Sequence, residues 1–481
     1  MRTHIRGGDV VAWANGHYVI REGDLVLDGD RVAFVGRGYN GPADRVLDVP
    51  GRLVSPGFVN LHCQIDISHG LLWYDADRPN LYAIRPEAWL HDPTEAPVFT
   101  RDEMLAGARL GLGTALRSGS TTVVGINTMV FKRWDDAPGD PDLFAEVADE
   151  LGARVYLSHH FREGVVAGRE PHIVWNSAAG RRGLDRALAF AERIRKRQND
   201  RVQPLLFPYT LDTNTETMLR LVREAATAHG LRIHMHFAQS RFEVEQVRKS
   251  TGAGPVEFLE RIGFLGPDVI LTHATYIAEE SDRDLDVLAA HGVSIAHCPV
   301  VMCHNGRALR SFSRYRRAGL NVGLGTDTFP QNILEEMRWA AIGSKLADGH
   351  AASGLAAEVY EAATLGGARA LGRDDLGRLS PGAKADVTIV DLRNIMIGPA
   401  DDPIRALVHY VTVRDVEHVF VDGVQVVEDG QVRGLDVETT LATMERIATK
   451  MAAQFAQWSG KEPALLFPPS YAIARRHQAT P

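Results

Sequence analysis

A chain of 481 residues with 45% hydrophobic and 24% charged side chains, a formal net charge of −8 and a pI near 6.2 has the composition of an ordinary soluble globular protein. It is long enough for a large barrel plus a smaller domain, and its acidic balance lacks the basic face that nucleic acid or an anionic membrane requires, leaving a small molecule as the expected partner. The 3 cysteines have no paired spacing, which rules out a disulfide scaffold; no apolar leader follows Met1 and no run is long enough to span a bilayer, so the cytoplasm is the expected compartment.

In chain order, residues 1–52 read as short strands with tight turns, among them a hairpin over Asp24–Val35 that turns at Asp28-Gly29. A second cluster of the same kind fills residues 378–434, with a strand at Ala385–Val390 and a hairpin over Val419–Val427. Neither piece alone buries a good core. One β-sandwich assembled from both ends, with residues 53–377 inserted between them, is the economical reading. Residues 435–481 are expected to form one amphipathic helix, Val437–Trp458, and a Pro-containing surface tail.

The insert alternates apolar strands with amphipathic helices. Strands are expected near Val54–Gln64, Thr121–Val124, Arg154–Ser158, Val202–Tyr209, Arg232–His236, Val269–His273, Val293–His297 and Val322–Asp327. Helices are expected between them and over Ile333–Ala347 and Leu355–Leu371. Eight short β/α alternations, with no glycine-rich phosphate fingerprint after any strand, favour an α/β fold of the (β/α)8 barrel type over an open dinucleotide sheet.

On the first of these strands side chains alternate, so His62 and Gln64 share one face and Cys63 takes the other. His62, His236, His273 and Asp327 then close the first, fifth, sixth and eighth strands at their carboxyl ends, the face on which barrels carry chemistry. Any one of these histidines alone reads better as a hydrogen-bonded core residue. Four at equivalent ends read as a site. Imidazole and carboxylate are ordinary ligands for zinc or ferrous iron, and an ion so held brings the pKa of a bound water toward neutrality.

Several motifs carry a resemblance to a known family. They are Pro56-Gly57-Phe58-Val59-Asn60-Leu61-His62, His234-Met235-His236, Thr272-His273, Ala296-His297-Cys298-Pro299, Gly325-Thr326-Asp327, Gly366–Gly372 and Gly377–Asp386. Over nearly the whole chain they resemble the amidohydrolase superfamily, in the branch of cytosine and guanine deaminases and triazine chlorohydrolases. The resemblance implies a barrel with a composite sandwich, a homodimer, and one divalent metal, zinc or alternatively iron. It implies ligands at His62, His236 and Asp327, with Gln64 or His273 supplementing them, and puts His273 and Asp327 to work on the water. Two positions depart from the pattern: Gln64 stands where the branch has a second histidine, and Gln239 where it has a proton-shuttling glutamate. A carboxamide is an uncharged, weaker metal donor and does not titrate, so Gln239 orients by hydrogen bonds only. For a reaction that needs the shuttle, the loss costs ~10²–10⁴ in rate.

The expected activity is hydrolysis of a non-peptide carbon–nitrogen bond in a small ring-containing substrate through a metal-activated water. The departure at Gln239 shifts the expectation toward amides, cyclic amides or good leaving groups. Two rival readings stay open: a metal-free hydrolase or lyase using His273 and Asp327 as acid and base, and a non-catalytic binding protein. Trp73, His160, Arg162 and His304 are the expected substrate contacts, with His69, Tyr74, Arg78, Arg85 and Trp89 on the same long loop as Trp73. Cys303 beside His304 reads as structural rather than nucleophilic, and Cys63 as inert.

Overall fold

Apolar, largely buried segments alternate with helices through the middle of the chain, and eight of these segments line up as parallel strands. They are β1 Phe58–Gln64, β2 Ser120–Ile126, β3 Arg154–Leu157, β4 Val202–Pro204, β5 Ile233–Phe237, β6 Val269–His273, β7 Ser294–His297 and β8 Asn321–Leu324. The computed structural model describes residues 1–66, 85–91 and 98–471, apart from the single residues 128, 169, 198, 280, 310, 329 and 467. Strands β1 to β4 pair in order, as do β5 to β8. Bridges Leu206–Ile233 and Cys63–Asp327 close the cylinder. At that second seam Gln64 N donates to Asp327 O at 2.7 Å and Asp327 N to His62 O at 2.8 Å, so the first and last strands hold each other's site residues in register. The fold is a (β/α)8 barrel.

The strand expected over Val202–Tyr209 is broken after Pro204 and resumes at Phe207–Pro208, paired with His160–Phe161 beyond β3. Two prolines supply no amide for a continuous ladder, which accounts for the break. The helix expected over Leu355–Leu371 is Ala356–Glu361, then a π-turn Ala362–Gly366, then Gly367–Ala370. The glycines there are required by contact. A Cβ on Gly366 would meet Val322 O at 2.5 Å, and one on Gly367 would meet Val59 Cβ at 2.6 Å.

Both chain ends join one nine-stranded sheet, with Arg52–Pro56 lying between Arg2–Trp13 and Val387–Asp391. Ile5, Val10, Leu25, Leu27, Val54, Ile389 and Phe420 fill its core, making the composite β-sandwich expected from the sequence. A charged cluster ties it to the barrel. The buried Arg154 guanidinium, at the start of β3, bonds Asp386 and Asp422, and Lys384 Nζ lies 3.0 Å from both Asp30 and Asp200. The last long helix, Val437–Ser459, lays Phe455 against Phe131 (ring centroids 5.0 Å) and Trp458 against Trp89 (4.9 Å). Among the described residues no helix is long and apolar enough to cross a membrane.

Candidate metal centre

His62, His236 and His273 meet at the carboxyl end of the barrel, each offering one ring nitrogen within 4.8 Å of the others. Asp327 joins them, its carboxylate 3.8 Å from His62 Nε2 and 3.5 Å from His273 Nε2. The backbone bends sharply to bring them there. His273 has φ +75° and Asp327 φ +55°, left-handed conformations that cost energy for side-chain-bearing residues and concentrate at functional sites. Gly325 makes room for His62, since a Cβ on it would stand 2.7 Å from His62 Cβ.

A second layer fixes the rings. His62 Nδ1 lies 3.1 Å from His234 Nε2 and 3.3 Å from Thr272 Oγ1, and His236 Nδ1 is 2.8 Å from the Tyr209 carbonyl. Because a carbonyl only accepts, His236 carries its proton on Nδ1 and presents Nε2 as a lone pair. Behind Asp327, Asn60 Nδ2 donates to Thr326 Oγ1 at 2.9 Å, and Gln331 Nε2 donates to Gln64 O at 2.6 Å.

Burial, and then the crowding of other imidazoles, pushes His62 and His273 well below the ordinary histidine range; burial takes His236 down to about 4. All three are therefore neutral at pH 7, the state that binds a metal. Burial also lifts the Asp327 carboxyl to about 7. His62 Nε2, both nitrogens of His273 and Asp327 Oδ1 are buried without a hydrogen-bond partner among the described residues. The lone pairs of His62 Nε2, Asp327 Oδ1 and one His273 nitrogen are costly to leave orphaned unless a cation takes them, so the donor set fits a divalent ion.

The amidohydrolase family pattern matches residues 53–426. The chain belongs to the amidohydrolase family. It is 31% identical over 94% of its length to a 5-methylthioadenosine/S-adenosylhomocysteine deaminase from Natronomonas pharaonis, covering 98% of that protein. It is 30% identical over 90% of its length to a 5'-deoxyadenosine deaminase from Methanothermobacter thermautotrophicus, covering 95% of that one. A zinc-bound adenosine deaminase from Xanthomonas campestris shares the fold, with TM-score 0.79 at 23% identity over 94% of this chain and 98% of its own. The protein is accordingly an amidohydrolase whose full-length relatives are deaminases, the family that the sequence motifs indicated.

In this amidohydrolase the remaining expected site residues fall in different places. Gln64 is buried at the end of β1. Gln239 is half-buried just beyond β5, its main chain held by Glu243 (Gln239 N donating to Oε2, 2.9 Å) and by Arg307 (Nη1 donating to Gln239 O, 3.1 Å). His160 is buried beside Phe207, with ring centroids 4.3 Å apart. Arg162 is buried and gives Nη2 to the carbonyls of Met129, Lys132 and Arg133 at 2.8 to 2.9 Å. Arg85 likewise bonds the carbonyls of Met129 and Val166, both at 3.1 Å. Trp89 packs into the aromatic cluster under Trp458, and His304 is exposed at the end of the short helix Pro299–His304. Burial raises the thiol pKa of both Cys303 and Cys63, which agrees with structural roles. His69, Trp73, Tyr74 and Arg78 lie outside the described residues. Unassigned in the sequence were His234, Thr272 and the Asp136–Asn127 pair behind His160. For His234 a signal existed: it lies two residues before His236, on the same face of the strand.

Proposed function

We propose that this amidohydrolase removes the exocyclic substituent from the purine ring of a 5'-modified adenosine, the amine being the first candidate leaving group. The observation that carries the reading is the convergence of His62, His236, His273 and Asp327 on one point of the barrel mouth. The names of the full-length relatives support the substrate class. Zinc is the proposed ion, with His62, His236 and Asp327 as ligands and Gln64 and His273 beside them; it supplies Lewis acidity to the attacking water. Asp327 and His273 take the water's first proton. Gln239, clamped through its main chain, orients the substrate through its carboxamide. The enzyme is proposed to act in the cytoplasm as a homodimer.

A second reading follows from Gln239. With no titratable group there, a substituent that departs without a proton, such as chloride, is the easier substrate. One paired experiment tests both: metal content by elemental analysis, and turnover of 5'-methylthioadenosine, S-adenosylhomocysteine, 5'-deoxyadenosine and a 6-chloropurine nucleoside. Near-stoichiometric zinc with turnover is expected. Metal-free protein that turns over none of the four would overturn the proposal. Gln239→Glu is expected to raise amine release by ~10²-fold or more while changing chloride release little.

A further inference from the structure

If position 239 carries no acid, the departing amine needs its proton from elsewhere, and a second titratable assembly is built into the same end of the barrel. His160 is 1% exposed. Its Nδ1 lies 3.0 Å from Asp136 Oδ2, and its own amide donates to that same oxygen at 2.7 Å. Asn127 Nδ2 donates to it as well, at 2.9 Å. Asp136 is itself fully buried, and burial alone would favour its neutral form. The charges of His160, Lys132 and His159 together with the His160 hydrogen bond nevertheless hold it well below the usual carboxylate range. An ionised carboxylate beneath Nδ1 fixes the tautomer, stabilises the imidazolium and turns Nε2 outward as the working atom. His160 Nε2 is buried without a partner among the described residues. The ring packs on Phe207, which in turn touches His234 (4.7 Å) and His236 (5.3 Å), so the dyad borders the metal centre. A residue that only filled space would need neither a buried carboxylate nor an open nitrogen, both of which are costly to bury.

We infer that the Asp136–His160 dyad is the group that protonates the leaving amine in this enzyme, replacing the acid absent at position 239. The inference rests on the proposed deamination. Water adds to the ring carbon, forming the carbon–oxygen bond, and the ring carbon–nitrogen π pair moves onto the ring nitrogen. Of the water's two protons, one ends on that nitrogen. His160 Nε2 accepts the other and delivers it to the amine as an oxygen lone pair forms the carbonyl, the carbon–nitrogen bond breaks and its electron pair leaves with nitrogen. Ammonia departs, and the dyad returns to its starting state.

Leaving-group dependence tests the assignment. His160→Gln is expected to lower kcat/KM on 5'-deoxyadenosine by ~10²-fold or more, and on its 6-chloro counterpart by less than ~10-fold, because chloride leaves unprotonated. Added imidazole should restore amine release to His160→Ala. Equal losses on both substrates, or no loss on the amine, would overturn the relay and leave His160 a structural residue. A measurement that needs no turnover separates this failure from failure of the proposed reaction. In protein labelled with ¹⁵N-histidine, the His160 signal (identified by its disappearance in His160→Gln) should report an Nδ1–H tautomer that Asp136→Asn abolishes. An Nε2–H tautomer in the unmodified protein would sink the dyad whatever the substrate proves to be.

Discussion

At the scale of single residues, the proposed metal centre should depend as much on what stands behind a ligand as on the ligand. His234 touches His62 Nδ1 from inside the barrel and shares Thr272 with it, Oγ1 lying 2.7 Å from His234 Nε2. Removing a partner of that kind frees a ring to rotate and weakens metal binding by ~10–100-fold in comparable sites. His234→Ala should therefore lower zinc affinity by about that factor in a competitive chelator titration. His62→Ala should abolish stoichiometric binding, and both variants should keep the wild-type circular dichroism spectrum. If His234→Ala bound zinc as tightly as wild type, His62 would be oriented by packing alone. The convergence of His62, His236, His273 and Asp327 was legible in the sequence because each lies at or just beyond the carboxyl end of a strand whose apolar pattern is strong. Asp136 was not, since it lies in the irregular segment before the helix Asp140–Leu151, and only the folded chain brings it 3.0 Å from His160. The setting of Arg162 was illegible for a related reason: a sequence shows a guanidinium's charge but not the carbonyls it bonds.

At the scale of an element, the turn that follows β5 shows how a helix start serves the site. Ser240 caps the helix Arg241–Thr251 through the Glu243 amide, while the Glu243 carboxylate reaches back to the amides of Ala238 (2.8 Å) and Gln239 (2.9 Å). Ala238 sits at φ +47°, so this clamp restrains a turn that is otherwise unfavourable. Burial, reinforced by the neighbouring Asp212, pushes the Glu243 carboxyl from 4.5 up to about 8. A carboxyl whose folded pKa is raised contributes stability that is complete below the unfolded value. That contribution is lost progressively as pH climbs from about 4.5 to about 8, because the unfolded chain gives up its proton first. Glu243→Gln removes this titration. Its melting temperature should fall less steeply than the wild type's between pH 5 and 8 in parallel scans, and superimposable slopes would show the carboxyl to be ionised throughout. Strand breaks were harder to foresee than strand ends. Pro204 and Pro208 were visible, but the resumption at Phe207 depends on the pairing with His160, which only the closed barrel supplies.

At the scale of the whole molecule, the sandwich and the barrel are locked by charge as well as by apolar packing. Arg154 is fully buried at the start of β3, and its two partners, Asp386 and Asp422, both come from the C-terminal part of the sandwich, more than two hundred residues away. The sequence could assign both ends to one sandwich from their turn patterns, yet nothing in it marked Arg154 as the pin, since an arginine opening a strand usually lies at the surface. A buried ion pair is a weak source of net stability but an expensive one to break, because removing one partner strands the other's charge. Arg154→Met should consequently cost ~3–5 kcal/mol in urea unfolding, less whatever Lys384, 3.2 Å from Asp422, takes over. Arg154→Met combined with Asp386→Leu removes the guanidinium and its buried partner, leaves Asp422 to Lys384, and should recover a large part of that loss, giving a double variant more stable than the single one. Losses that simply added would mean that the two side chains act independently, and that this ion pair does not pin the terminal sandwich to the barrel.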